Sequence, residues 1–385
     1  MEILRMTKLQ SETVSPLGSI VLRRLAEIPA FAEAQHCALL NHPSHGNVGD
    51  HLIWVAQVHY LERVRQISVD YIAAPDRYCP RALEHAIGGQ PIVLSGGGQL
   101  GDTWLWLQEF IERVILLHRR NPLIILPQSI HFRDRARLQE ASAILQGHPD
   151  LTLVLRDQTS FRLAQNHFGD CRLILAPDMA FALPVGELAP ESQGFPPPAS
   201  RRPWLVLRRC DREGISSNWE RTLSPWSDRS DITDWLPLER RWIWGDRRLP
   251  LSRSLAGGVR EILQRRLLMP RVAIKRHRWQ RGLSSHWQTF SRTSPLNRLS
   301  LDMVFEACRQ MDGRQLVITD RLHGVICASI LGLRCIAIDN RIGKLHNFLN
   351  TWSPWLPLAH AATPEQLPEL LEHAAMHGIG PTAPH

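Results

Sequence analysis

A chain of 385 residues, 44% hydrophobic and 21% charged, exceeds what one hydrophobic core usually organises, so two soluble domains with separate cores are expected. No apolar run reaches the roughly 18 residues a membrane span needs. The first residues, MEILRMTKLQSETVSPLGS, lack the layout of a secretory signal, which gives a cytoplasmic expectation. The formal charge of +8 is uneven: residues 201–300 hold 22 Arg plus Lys against 9 Asp plus Glu, and eight of the 13 tryptophans.

Along the first half, HCALLNH, HLIWVAQVHYLERV, PIVLSGGG, TWLWLQEFIERVILLHRR, PLIILPQS, DRARLQEASAIL and LTLVLRD alternate short apolar runs with amphipathic stretches. That alternation predicts βαβ units and a parallel sheet. LIILP and LTLVL lack polar alternation, as strands covered on both faces do. GELAPESQGFPPPASRRP, rich in proline, glycine and serine, predicts a linker over 186–203. It divides a first domain, 1–190, from a second, 204–350. In the second, WLVLRR reads as strand, MVFEACRQM as helix, QLVITD as strand, RLHGVICASILG as helix and RCIAID as strand. Residues 351–385 read as a helical tail.

Residues 215–298 show weak periodicity, and their mixture of arginine and tryptophan suits an anionic membrane surface, a phosphorylated glycan or a plain solvated face. They contain no nucleic-acid reading module, so nucleic acid is set aside. The seven cysteines lack metal-finger spacing and several lie in apolar runs, which predicts buried thiols rather than disulfides. No cluster has metal-ligand spacing, and no metal is expected.

Ligands of parallel sheets bind beyond the carboxyl ends of strands, where loops lead into helix N-termini. Each distinctive motif falls at such a point. His45-Gly46-Asn47-Val48-Gly49-Asp50 follows CALLNH and offers close backbone approach and an acid, although Asp50 could equally be an N-cap. Ser95-Gly96-Gly97-Gly98-Gln99-Leu100-Gly101-Asp102 follows PIVL; it is neither a dinucleotide nor a phosphate-loop fingerprint, and its alternative role is a tight strand-to-helix turn. Pro127-Gln128-Ser129, Arg156-Asp157 and Pro177-Asp178 continue the cleft edge, with Arg156 and Asp157 read as a structural ion pair. In the second half, Arg208 and Arg209 end WLVL, where arginines suit bidentate recognition of carboxylate or phosphate or a surface ion-pair cluster. Asp320-Arg321-Leu322-His323-Gly324 brings fixed charge, an imidazole and helix N–H groups to one anion. Asp339 to Lys344 rims the same cleft.

This ordered series, NVGD, SGGGQLGD, PQS, RD with Ser160, PDMAF, the strand-end arginine with DRE, DRLHG, and DN with GK, resembles the polysaccharide pyruvyl transferase family. The resemblance implies two Rossmann-like domains facing a cleft, similar to GT-B glycosyltransferases. It implies phosphoenolpyruvate as donor, no resident cofactor, and a pyruvate ketal formed on a sugar of a cell-surface polysaccharide or its lipid-linked precursor. Donor binding is carried onto Arg208, Arg321 and His323, with Gly324 and Lys344 beside them. The catalytic candidates are His323, Asp50 and Asp102. Asn47, Gly49, Gly97, Gly98, Gln128 and Ser129 are expected to form the acceptor side. A lipid-linked acceptor would bring the chain to the inner face of the plasma membrane. A GT-B glycosyltransferase using a nucleotide sugar is the alternative.

Overall fold

The computed structural model describes residues 14–184, 202–209, 222–235, 287, 289–290, 293–339, 343–356, 359–361 and 366–377. Most of the proposed linker and of the basic segment therefore lie outside the described residues. The first half builds strands β1 (His36–Leu40), β2 (Ser68–Ala73), β3 (Ile92–Leu94), β4 (Gly97–Gly101), β5 (Leu123–His131), β6 (Leu151–Leu155) and β7 (Arg172–Leu175). They form one parallel sheet in the order β2-β1-β3-β5-β6-β7, with β4 also beside β5. Helices α1 (Pro16–Ala26), α2 (Val48–His59), α3 (Pro80–Ile87), α4 (Leu105–Leu117), α5 (Arg135–Gln146) and α6 (Gln158–His167) complete this half.

Past residue 202, β8 (Trp204–Leu207), β9 (Ser230–Thr233), β10 (Leu316–Thr319), β11 (Cys335–Ile338) and β12 (Ala359–Ala361) form a second parallel sheet, ordered β12-β11-β10-β8-β9. Its helices are α7 (Pro295–Met311), α8 (Leu322–Ile330), α9 (Lys344–Trp352) and α10 (Leu367–His377). The stretch read as a helical tail thus supplies an edge strand as well as a helix, and Leu367 and Leu371 bury against Val206 and Ile318.

Strand alternation sorts the apolar side chains between layers. Cys37, Leu39, Val93, Ile124 and Val154 face α1 and α2, while Ala38, Leu40, Leu94, Ile125 and Leu153 face α3 to α6. In the second sheet, Leu205, Leu207, Val317 and Ala337 join the first of these layers, and Trp204, Val206, Ile318 and Ile336 face α10. One core therefore runs unbroken from beneath the first sheet to beneath the second, where separate cores were expected. No described helix is long and apolar enough to cross a membrane.

The halves meet mainly through α2 and α7, and a buried polar network fixes that contact. Trp54 Nε1 donates to Asn297 Oδ1 at 2.8 Å, and Ser300 Oγ lies 2.9 Å from both His42 Nε2 and His51 Nδ1. His51 Nε2 is 2.8 Å from the His45 carbonyl, so it carries the proton and Nδ1 accepts from the Ser300 hydroxyl. That arrangement needs a neutral His51. Burial accordingly pushes His51 down to about 4 and His42 down to about 3. A second tie comes from α9: Trp352 Nε1 donates to the Arg156 carbonyl at 2.8 Å, and Thr351 Oγ1 accepts the Gln158 N–H at 2.9 Å.

The glycine run does not take its alternative role. It is not a turn into a helix but the strand β4, whose register against β5 shifts between Gly97 and Leu100. Gly101 has φ +134°, and a Cβ there would lie 1.9 Å from the His131 carbonyl oxygen, so only glycine fits.

Candidate active site

The carboxyl ends of strands from both sheets open onto a cavity of about 430 Å³. The β1–α2 loop supplies His45 and Asn47, the first turn of α2 supplies Asp50, and β4 supplies Gly98 and Gln99. Asn47 is the N-cap of α2, its side chain accepting the Gly49 N–H at 3.4 Å. Its amide nitrogen donates to Asp50 Oδ2 at 2.8 Å, and His45 Nε2 lies 3.6 Å from the same oxygen. Burial opposes ionisation of Asp50, but His45, His323, His51 and the Asn47 hydrogen bond outweigh it and hold the carboxyl below its ordinary value.

His323 enters from the second half on the first turn of α8. A Cβ on Gly49 would lie 2.2 Å from His323 Nδ1, so the imidazole rests directly on the backbone of α2 and requires a glycine there. His323 Nε2 stands 3.4 Å from Asp178 Oδ2, which also receives Arg156 Nη1 at 2.7 Å. Asp178 is wholly buried; burial raises its pKa, yet His323, Arg156 and the Ala180 N–H together hold it well below the usual carboxylate range. Arg156 Nε donates to Ser129 Oγ at 2.9 Å, and Ser129 donates in turn to Asp157 Oδ2 at 2.6 Å.

These contacts revise the reading of Arg156 and Asp157. Arg156 pairs with Asp178 and lines the cavity, while Asp157 caps α6 through the Ser160 N–H at 2.8 Å and holds two hydroxyls.

Arg321 lies on the cavity wall with Nε 2.8 Å and Nη2 2.5 Å from Asp234 Oδ1. Its own N–H donates to Thr319 Oγ1 at 3.0 Å, and a Cβ on Gly324 would lie 2.7 Å from that same oxygen, so the turn into α8 is tightly packed. Lys344, first residue of α9, also lines the cavity; a Cβ on Gly98 would lie 3.2 Å from its Nζ and from Arg156 Nη2. Arg209, not Arg208, completes this wall. The reason is strand parity: Leu205 and Leu207 face the inner core and Val206 the outer, so position 209 continues inward and 208 outward.

Several expected residues stand behind the wall instead of on it. Gln128 is buried, its Oε1 accepting the Gln99 N–H at 3.2 Å and its Nε2 donating to the Ser95 carbonyl at 2.9 Å; it shapes β4. Ser129 orients Arg156, and Gly97, with φ +134°, gives β4 its path beside Asp50. Asp102 lies outside the cavity lining: its Oδ2 accepts the N–H groups of Arg133 and Asp134 at 2.6 and 2.7 Å, fixing the loop before α5. Sequence reasoning missed the partnering of Asp178 and Asp234 and the wall positions of Trp104, Trp106 and Trp235. Only strand-end position hinted at Asp178.

Among the described residues, no three His, Cys, Asp or Glu side chains converge as they would around a metal. Four cationic side chains, the imidazoles of His45 and His323 and the first turns of α2, α4, α8 and α9 do converge, with carboxylates beside and behind them. Cations and helix N-termini gathered at strand ends suit an anion. The chain belongs to the polysaccharide pyruvyl transferase family, whose model matches residues 47–241. It is 28% identical over 338 residues to the EpsO protein of Bacillus subtilis (strain 168), covering 85% of this chain and 90% of that one. Pyruvyl transferase 1 of Schizosaccharomyces pombe is 26% identical over 337 residues, covering 84% and 71%. A crystal structure of an uncharacterised protein from Klebsiella pneumoniae subsp. pneumoniae NTUH-K2044 matches with a TM-score of 0.50 at 14% identity, over 88% of this chain and 97% of that one, a likeness of fold alone.

Proposed function

We propose that this pyruvyl transferase takes its pyruvyl group from phosphoenolpyruvate and sets it as a ketal on two hydroxyls of one sugar, in a cell-surface polysaccharide or its lipid-linked precursor. The observation that carries this reading is the meeting of Arg156, Arg209, Arg321, Lys344 and His323 with Asp50 in one cavity. Phosphoenolpyruvate bears a carboxylate and a phosphate close together, and several cations on rigid elements suit such a pair. Arg209 takes the part first given to Arg208. The two sheets sharing the cavity are read as a GT-B-like arrangement with domains 1–190 and 204–350.

In this mechanism His323 delivers a proton to C3 of the enol, held in place by Asp178. A sugar hydroxyl adds to C2 and yields its proton to Asp50, which is already ionised. The second hydroxyl then closes the ring as the C2–O bond to phosphate breaks, and its proton leaves with phosphate. The chain's residues supply charge and proton transfer, and no resident cofactor enters.

The test is to incubate the protein with phosphoenolpyruvate and candidate free or lipid-linked oligosaccharides, reading phosphate release and acceptor mass together. Coupled release and gain are expected, with both abolished in His323→Ala and Arg321→Ala proteins that remain folded. Normal donor turnover in either variant refutes the donor site, and glycosyl transfer from a nucleotide sugar in its place refutes the donor.

A further inference from the structure

Two indoles on the cavity wall have no part in the proposed donor chemistry. Trp104 and Trp106 stand at the start of α4, 41% and 50% exposed, and both line the cavity with Asp50, Gly98 and Gln99. Their backbone is anchored. Leu107 is buried beside them, and buried Gln108 accepts the Gly101 N–H at 2.8 Å and donates to Glu112 Oε1 at 2.8 Å, tying the first turn of α4 to β4. Trp104 is moreover the N-cap of α4, makes no side-chain capping bond, and no acidic residue follows in the first turn. Ser, Thr, Asp or Asn would stabilise the helix there. An exposed indole at a position where a small polar residue is preferred, next to a second exposed indole, is costly for solubility and for helix stability alike. Both costs are offset when the rings have a ligand to cover.

The neighbouring groups specify its chemistry. Asn47, Gln99 and Asp50 present amide and carboxylate atoms suited to hydroxyls, while the cations stand on other elements, at the ends of β6, β8 and β10 and the start of α9. A pyranose has one face of C–H groups, which packs flat on an aromatic ring, and a rim of hydroxyls. We infer that Trp104 and Trp106 form a stacking shelf for the acceptor hexopyranose, turning its hydroxyls toward Asp50. This inference rests on the proposed pyruvyl transfer for its purpose, but the binding it describes is measurable without donor.

Saturation-transfer NMR on the full chain, with methyl glycosides of glucose, galactose and mannose as probes, reads that binding. At least one glycoside is expected to bind, with saturation concentrated on the C–H protons of one ring face. Trp104→Leu and Trp106→Leu are each expected to weaken it about tenfold and Trp→Phe at either position by about threefold or less, because leucine keeps apolar area but loses the flat face. Both side chains are exposed, so the thermal midpoint should hold. Binding of phosphoenolpyruvate should stay within about twofold of wild type in every variant. No binding of any glycoside by the wild-type protein, or unaltered binding in the leucine variants, overturns the shelf. So does wild-type partitioning onto phosphatidylcholine and phosphatidylglycerol vesicles that is lost in Trp104→Ala/Trp106→Ala while glycoside affinity is unchanged, since the indoles would then serve a bilayer. Failure of phosphoenolpyruvate to bind the wild-type chain, with glycosides still stacking, refutes the donor proposal and leaves the shelf standing.

Discussion

Gly49→Ala isolates the contact between the two halves of the site. The new Cβ would lie 2.2 Å from His323 Nδ1, 2.6 Å from Cγ and 2.9 Å from Cβ, whereas ordinary carbon contacts sit near 3.5 Å or beyond. The whole imidazole must therefore retreat by about 1 Å, out of line with Asp178 and the substrate, a displacement that commonly costs about 100-fold in rate. Alanine by itself favours a helix over glycine by about 1 kcal/mol, so global unfolding is not the expected outcome. Steady-state phosphate release with donor and acceptor should show kcat down about 100-fold, equivalent to about 2.7 kcal/mol. The thermal midpoint should change little. A Gly49→Ala protein with kcat within about threefold of wild type would refute the packing of His323 on α2 and with it the catalytic geometry.

Asp178→Ala leaves Arg156 buried without its ion partner and should cost about 3–5 kcal/mol, read by denaturant unfolding; an Arg156→Met/Asp178→Leu protein should regain much of that stability and none of the activity. Asp102→Ala removes an acceptor from two backbone N–H groups, so a loss of about 1 kcal/mol with near-normal kcat is expected, and an inactive but folded protein restores Asp102 to the catalytic list. Acid should weaken the joint between halves. His42 and His51 stay neutral in the folded chain down to about 3 and about 4 but take protons near pH 6.5 when unfolded, so stability falls as pH drops below 6.5. By pH 5 the pair removes roughly 4 kcal/mol, and a His42→Asn/His51→Asn protein showing the same acid slope contradicts the assignment. If the acceptor is lipid-linked, the basic segment 201–300 should draw the chain to anionic vesicles at low salt, and binding indifferent to salt removes that reading.

Much of this site was legible because parallel strands deliver their chemistry at one end. LTLVL and LIIL announce doubly covered strands, and any polar residues that follow fall on the same edge of the sheet; hence Asn47, Asp50, Arg321 and His323 were found together. Position along the strand end was legible only to one residue, and a slip of one flips a side chain to the other face, which is how Arg208 stood in for Arg209. Asp102 was named beside Asp50 because carboxylates that fix loops and carboxylates that move protons look alike in sequence. The Arg321 partner, Asp234, is 87 residues away in a stretch without periodicity, and only the pairing of β9 with β8 brings it near. The glycines of β4 left a turn open as an alternative because a bulged edge strand and a turn draw on the same residue.

The unbroken core beneath both sheets bears on how the molecule comes apart. Leu205, Val317 and Ala337 share their layer with Leu39, Ile124 and the helices α2 and α7, so neither half owns the whole of its hydrophobic floor. Cut at the proline-rich stretch, each piece would present that floor to water, and the two pieces should aggregate alone yet assemble when co-expressed. The chain should melt in a single cooperative transition in which the halves of the active site are lost together.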